Sequence, residues 1–227
     1  MDKAYLRFAA GCAAALAVTT FLLWLLPQLV PEAPNFDARL ALGRDPANLA
    51  RHAVGIVHML LGFAAMLGVY FLLRERSRGF AAFGLAMFLT WMVVEIVASS
   101  IALFTVNLGW RAGYAAAGPE AQVAFRALLA GWPAVYDGLY FVFGTAFVIG
   151  SITYGVLALR GGKRAALAGV FMLMGAGLGI AFLVSGYNGP AWPGMLAGHL
   201  YPILMPSGRG LIAWWLWREA AQPHPGR

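Results

Sequence analysis

Six stretches of this chain are apolar for as long as a bilayer is thick, and that pattern constrains the fold more than any motif does. A helix rises about 1.5 Å per residue, so about 20 apolar residues cross the hydrocarbon. Residues 8–30, 52–73, 79–105, 134–159, 165–186 and 196–217 each supply such a run within the 227 residues. Only 11% of the residues are charged, against about 25% in soluble domains. A water-soluble fold of this length has too little interior to hide the apolar remainder. The expected fold is therefore all-α, a polytopic transmembrane helix bundle of about six spans forming one domain over 1–227. A soluble enzyme, a disordered chain and a disulfide scaffold are excluded, and the single Cys12 allows no intrachain bridge.

The net charge of +7 reports topology. With the N-terminus placed in the cytoplasm, ten basic residues fall inside, from Lys3 and Arg7 through the turns Arg74–Arg78 and Arg160–Arg164 to Arg218 and Arg227. Five fall outside (Arg39, Arg44, Arg51, Arg111 and Arg126), and Arg209 lies within a span. That bias is the positive-inside rule and predicts cytoplasmic termini. A nucleic-acid surface would instead cluster its basic residues with stacking aromatics. Lys3 and Arg7 ahead of an apolar run resemble a signal peptide, but the run outlasts an ordinary h-region and no A-x-A site closes it, so it reads as an uncleaved helix. Tryptophans 24, 110, 132 and 192 mark the outer interface, and Trp214, Trp215 and Trp217 the inner one.

The outer loops are the long ones. Residues 31–51 should hold one short helix. Residues 106–133 contain Gly118-Pro119-Glu120, a helix start with proline in the first turn and an acid against the dipole. A short surface or lid helix is expected to follow, separate from the span at 134.

Polar groups inside spans carry the functional signal, because a charge at a helix centre costs about 2.5–3.5 kcal/mol on insertion scales. The candidates are His58, Glu95, Asp137, Tyr140, His199 and Arg209. His58 shares a stripe with Gly55, Gly62, Ala65 and Gly68, and comparable small-residue stripes carry Glu95 and Asp137, so these three point into the bundle. Each also has a plainer role: His58 as packing glue, Asp137 as a helix cap, and Glu95 with Arg209 as a structural ion pair between the third and sixth helices. The sixth segment carries Pro202, Pro206, Gly208 and Gly210 around Arg209. Proline removes a backbone bond and clashes with the preceding turn, so a broken helix is expected at Pro202–Gly210. Gly175-Ala-Gly-Leu-Gly179 contains a GxxxG, which by itself is weak evidence of self-association.

Three functional classes follow. The first is a non-catalytic binding or accessory protein holding a lipid, a quinone or a partner helix, with membrane lipid, a membrane-protein partner or a second copy as its company. The second is an intramembrane enzyme, with Glu95 or Asp137 as acid or base and Arg209 on an anionic group. The third is a haem or metal site using His58 and His199, although two histidines outside any HxxxH or HExxH motif are a poor metal signature. No specific cofactor follows from the residues. The run Tyr136-Asp137-Gly138-Leu139-Tyr140-Phe141-Val142-Phe143-Gly144, the basic turn Lys163-Arg164 and the glycine-rich stretch Gly169–Gly179 resemble bacterial six-helix membrane proteins catalogued only as a domain of unknown function. That resemblance covers residues 50–217 in layout. It implies a bacterial inner-membrane location and the helix count, and it brings no activity and no catalytic residues.

Overall fold

The structure, a computed structural model, describes residues 2–222; Arg227, counted above on the inner side, lies outside them. The described residues form helices joined by turns and short irregular segments, with no strand among them: α1 (Lys3–Leu29), α2 (Phe36–Ala41), α3 (Pro46–Leu73), α4 (Arg78–Ser100) continued by a π-helical segment (Ile101–Arg111) and α5 (Ala112–Ala116), then α6 (Pro119–Leu159), α7 (Lys163–Gly186) and α8 (Trp192–Ala221). Five of these helical stretches are long and apolar enough to cross a membrane. The sixth long helix, α8, matches them in length but carries Arg209, two internal prolines and a charged C-terminal end at Arg218-Glu219.

The long helices form a closed ring. In chain order α1 packs on α3, α3 on α4, α4 on α6, α6 on α7, α7 on α8, and α8 returns to α1. Both described termini lie at one end, where Lys3 Nζ donates to the Gln222 carbonyl at 2.5 Å. The basic turns meet at this terminal end: Arg76 donates to the Leu157 carbonyl at 3.1 Å, and Arg164 pairs with Glu219 at 3.8 Å. Between them Phe88, Met66, Tyr154 and Leu216 are fully enclosed and plug the terminal half of the ring. Facing outward are Phe63, Phe80, Phe83, Val93 and Ile203, a surface suited to acyl chains rather than water. Trp214 and Trp217 are exposed as belt residues should be, whereas Trp215 is buried in the core and belongs to no belt.

Small residues let helices approach. A Cβ on Gly169 would lie 2.7 Å from the Gly155 carbonyl oxygen, so α6 and α7 touch backbone to backbone there. Gly175 and Gly179 pack on Phe147, Val148 and Met205 of this same chain. The GxxxG is thus used inside the bundle.

Three expectations are corrected. Residues 106–133 form no loop: α4 continues through the π segment to Ala116, and α6 runs unbroken from Pro119 for 41 residues, with Pro133 inside it. At about 1.5 Å per residue that helix is roughly 60 Å long, twice the hydrocarbon thickness. Helix propensity persists where hydropathy falls, so the apolar window ended before the helix did. Asp137 consequently sits within α6 and caps nothing. The sixth segment does not unwind either. Helix α8 continues through Pro202 and Pro206, since each proline removes only one backbone bond while α1 and α7 flank the helix. As expected, a short helix (α2) interrupts residues 31–51, and α6 starts at Gly118-Pro119.

Candidate functional site: a chamber and its vestibule

The ring encloses a chamber of about 260 Å³ to which all six long helices contribute. His58 and Met59 come from α3, Trp91 and Glu95 from α4, Tyr136, Tyr140, Phe143 and Phe147 from α6, Gly175 and Phe182 from α7, and Tyr201, Met205 and Arg209 from α8; Thr20 and Leu23 of α1 complete the wall. Toward the distal end, away from the termini, lies a vestibule of about 470 Å³ lined by Arg51, His52, Asn107, Arg111, Trp132 and Asp137. Leu23, Glu95, Tyr136 and Tyr201 border both spaces. Below the chamber the Phe88–Tyr154–Leu216 plug closes the ring. The interior is a cup open toward one end.

Local sequence explains how each side chain arrives there. Helix α3 begins at Asp45-Pro46: the Asp45 carboxylate accepts from the Asn48 backbone N–H at 2.7 Å, and Pro46 occupies the first turn. That cap adds residues ahead of the apolar run, so that Arg51 lies on helix instead of loop and His52 lies within the helix rather than at its start. His58 follows on the same helix, 3% exposed, with Nδ1 held by Thr19 Oγ1 at 2.8 Å. On α4, one turn of helix brings Trp91 and Glu95 together, and the indole Nε1 donates to Glu95 Oε2 at 2.6 Å.

The π segment aims Arg111. At about 100° per residue an unbroken α-helix would carry Arg111 about 160° away from the face of Glu95. Hydrogen bonding to the fifth residue on widens each turn, so Ala102, Val106, Asn107 and Arg111 all line the vestibule with Glu95 and Ser99. A network of amides holds the segment. Asn48 Nδ2 donates to Asn107 Oδ1 and to the Leu42 carbonyl, both at 2.8 Å, Asn107 Nδ2 donates to the Ala102 carbonyl at 2.6 Å, and Arg111 donates to Asn107 Oδ1.

Arg209 is the most unusual group. It is 5% exposed, its Nε is buried without a hydrogen-bond partner, and its guanidinium carbon lies 5.7 Å from the Trp91 ring centre and 5.8 Å from that of Phe147. The expected ion pair with Glu95 is not formed. Among the described residues the ion pair within 4 Å is Arg164–Glu219, at the terminal end. Helices α4 and α8 stand across the ring from each other, so the acid and the base face one chamber from opposite walls, with Trp91 touching both. The effective cost of burying a cation is several kcal/mol, and a cation–π contact returns about 0.5–2 kcal/mol. The aromatic contacts therefore leave the guanidinium under-compensated.

Of the six residues singled out from the sequence, the structure brings His58, Glu95, Tyr140 and Arg209 to one chamber and puts Asp137 at the vestibule rim. His199 is exposed on α8 and lines neither space, so the two histidines do not converge. No group of three or more His, Cys, Asp or Glu side chains among the described residues could hold a metal ion. Sequence reasoning passed over Arg51, Asn107 and Arg111, placed in or beside loops, and His52, the first residue of its span. The Asp45-Pro46 cap was a readable signal for Arg51 and His52, whereas nothing in residues 101–111 announces a π-helix.

The fold and site together define a class: an all-helical bundle of membrane-type helices around an aromatic cup, with a buried cation in its wall. No known family, curated protein or solved structure matches the chain.

Proposed function

We propose that this is a membrane-embedded binding protein whose chamber holds a lipophilic small molecule, with an acceptor oxygen of that ligand docked on Arg209. The observation that carries the reading is Arg209 itself, a nearly buried cation without an ion-pair partner among the described residues, facing a ligand-sized aromatic space. Binding pockets commonly join a mostly apolar wall to a few placed polar groups, and here Tyr140, Tyr201 and His58 supply the rest. Of the occupants the sequence suggested, a lipid or quinone suits the chamber. A partner helix, about 10–12 Å across with its side chains, would have to force apart a ring whose six long helices already pack on one another. The distal opening faces the periplasmic side of a bacterial inner membrane in this reading, with the basic terminal end in the cytoplasm.

The test is extraction into nonionic detergent followed by mass spectrometry of what remains bound to wild type and to Arg209→Gln. A near-stoichiometric lipophile bearing carbonyl or acid oxygens on wild type, and its loss from the variant, is the expected result. Identical lipid profiles on the two proteins would overturn the proposal. A second reading, an intramembrane enzyme, draws on Glu95, the carboxylate that borders both chamber and vestibule. Chemical change in the bound lipophile that ceases in Glu95→Gln would favour it.

A further inference from the structure

The vestibule has chemistry of its own. Arg51, His52 and Arg111 converge on one space from α3 and from the end of the π segment. Arginines on the translocated side of a membrane protein run against the positive-inside bias, and here two of them are half-buried at a cavity wall rather than solvated in a loop. Among the described residues neither has a carboxylate within ion-pair distance. Arg51 Nε donates to His52 Nε2 at 3.3 Å, which turns one donor sideways and leaves its terminal nitrogens to the cavity. Arg111 is braced by Asn107, and buried Gly43 seats the α2–α3 loop against the π segment, where a Cβ would come within 3.0 Å of the Arg111 Cβ.

Two carboxylates border the same space. Glu95 is drawn to the chamber side by the Trp91 indole. Asp137 is exposed at the rim, where water and salt screen it. Asp45 acts on Arg51 through space, but its carboxylate is engaged in capping the Asn48 N–H. Among the described residues the two arginines and the histidine thus face an opening whose acids form no ion pair with them.

We propose that the vestibule is a phosphate subsite, in which Arg51, His52 and Arg111 hold the phosphate head of an amphiphile whose apolar body continues into the chamber. This rests on the chamber being a lipophile site, as proposed above. A carboxylate would be satisfied by the fork of a single arginine, whereas a phosphate offers three acceptor oxygens and more than one negative charge, enough for both forks. The shared wall of Leu23, Tyr136 and Tyr201 makes head and body positions contiguous.

Lysophosphatidate, the monoacylglycerol with the same acyl chain, and inorganic phosphate are titrated against the full chain in nonionic detergent. The proteins are wild type, Arg51→Gln/Arg111→Gln, the charge-keeping Arg51→Lys/Arg111→Lys, and Arg209→Gln. Lysophosphatidate should bind wild type at least tenfold more tightly than the monoacylglycerol. The double glutamine variant should lose about a hundredfold for lysophosphatidate and nothing for the monoacylglycerol, with partial recovery in the double lysine variant. Equal binding of the two lipids, or a preference that survives in the double glutamine variant, overturns the subsite while leaving the chamber reading intact if monoacylglycerol binding depends on Arg209. If inorganic phosphate binds in an Arg51/Arg111-dependent way and no lipid depends on Arg209, the vestibule takes free phosphate and the chamber reading fails. Absence of binding by all three probes sinks both.

Discussion

Replacing Arg209 by methionine should leave the ligand-free protein at least as stable as wild type while abolishing its binding. The substitution removes a cation that is 5% exposed, with an unpartnered Nε and no ion pair among the described residues. It forfeits contacts with Trp91 and Phe147 at 5.7 and 5.8 Å, together about 1–2 kcal/mol at ordinary cation–π strengths. Against that stands relief from a desolvation cost of several kcal/mol, and exchanging buried charge for well-packed apolar volume has stabilised other proteins by about 1–4 kcal/mol. The balance is a gain of about 1–2 kcal/mol, or a few degrees in a chain of this size at roughly 2–4 °C per kcal/mol. Thermal unfolding after exhaustive detergent exchange measures it. Glu95→Gln alone and combined with Arg209→Met completes a double-mutant cycle, whose coupling should stay well below the roughly 3–5 kcal/mol of a broken ion pair, because the two side chains act on each other only through space and through the Trp91 they share. A loss of about 3–5 kcal/mol for Arg209→Met, largely recovered by adding Glu95→Gln, is the signature of a broken buried ion pair and would refute this reasoning.

Gly169→Ala should cost about 1–3 kcal/mol by forcing α6 from α7, whereas Gly198→Ala, with nothing within 4 Å of its new Cβ, should be harmless; equal melting points for the two variants would show that the helix contact is misread. Thr19→Val should lower stability by about 1 kcal/mol because the buried His58 Nδ1 loses its partner, and a Thr19→Ser variant that behaves no better than valine would contradict the hydrogen bond. Cysteines introduced at the exposed Arg44 and Arg76 should label with an impermeant thiol reagent from the periplasm and from the cytoplasm respectively, and the reverse pattern would invert the cup.

The long helices were legible in the chain because crossing hydrocarbon is a local demand: length and apolarity announce five of them without reference to their neighbours, while the extensions of α4 and α6 beyond their apolar runs lie outside that signal. The small-residue stripes likewise told which faces turn inward, and they correctly aimed His58 and Glu95 at the interior. Periodicity gives the direction of a side chain relative to its own helix axis, and little else. Whether Arg209 meets Glu95 depends on the order of helices around the ring, which sets α4 across from α8. Their shared place inside spans suggested a pair, and position around the ring separated it. The prolines of α8 were read as a break because their cost is local, while the packing of α1 and α7 that flanks the unbroken helix is not. Arg111 shows the limit most sharply. One change in hydrogen-bond register over Ile101–Arg111 swings it from the far face to the vestibule, and that register is held by Asn48, Asn107 and Gly43 meeting across elements. A contact between residues 59 positions apart exists only once the helices have packed, so only the tertiary structure could decide it.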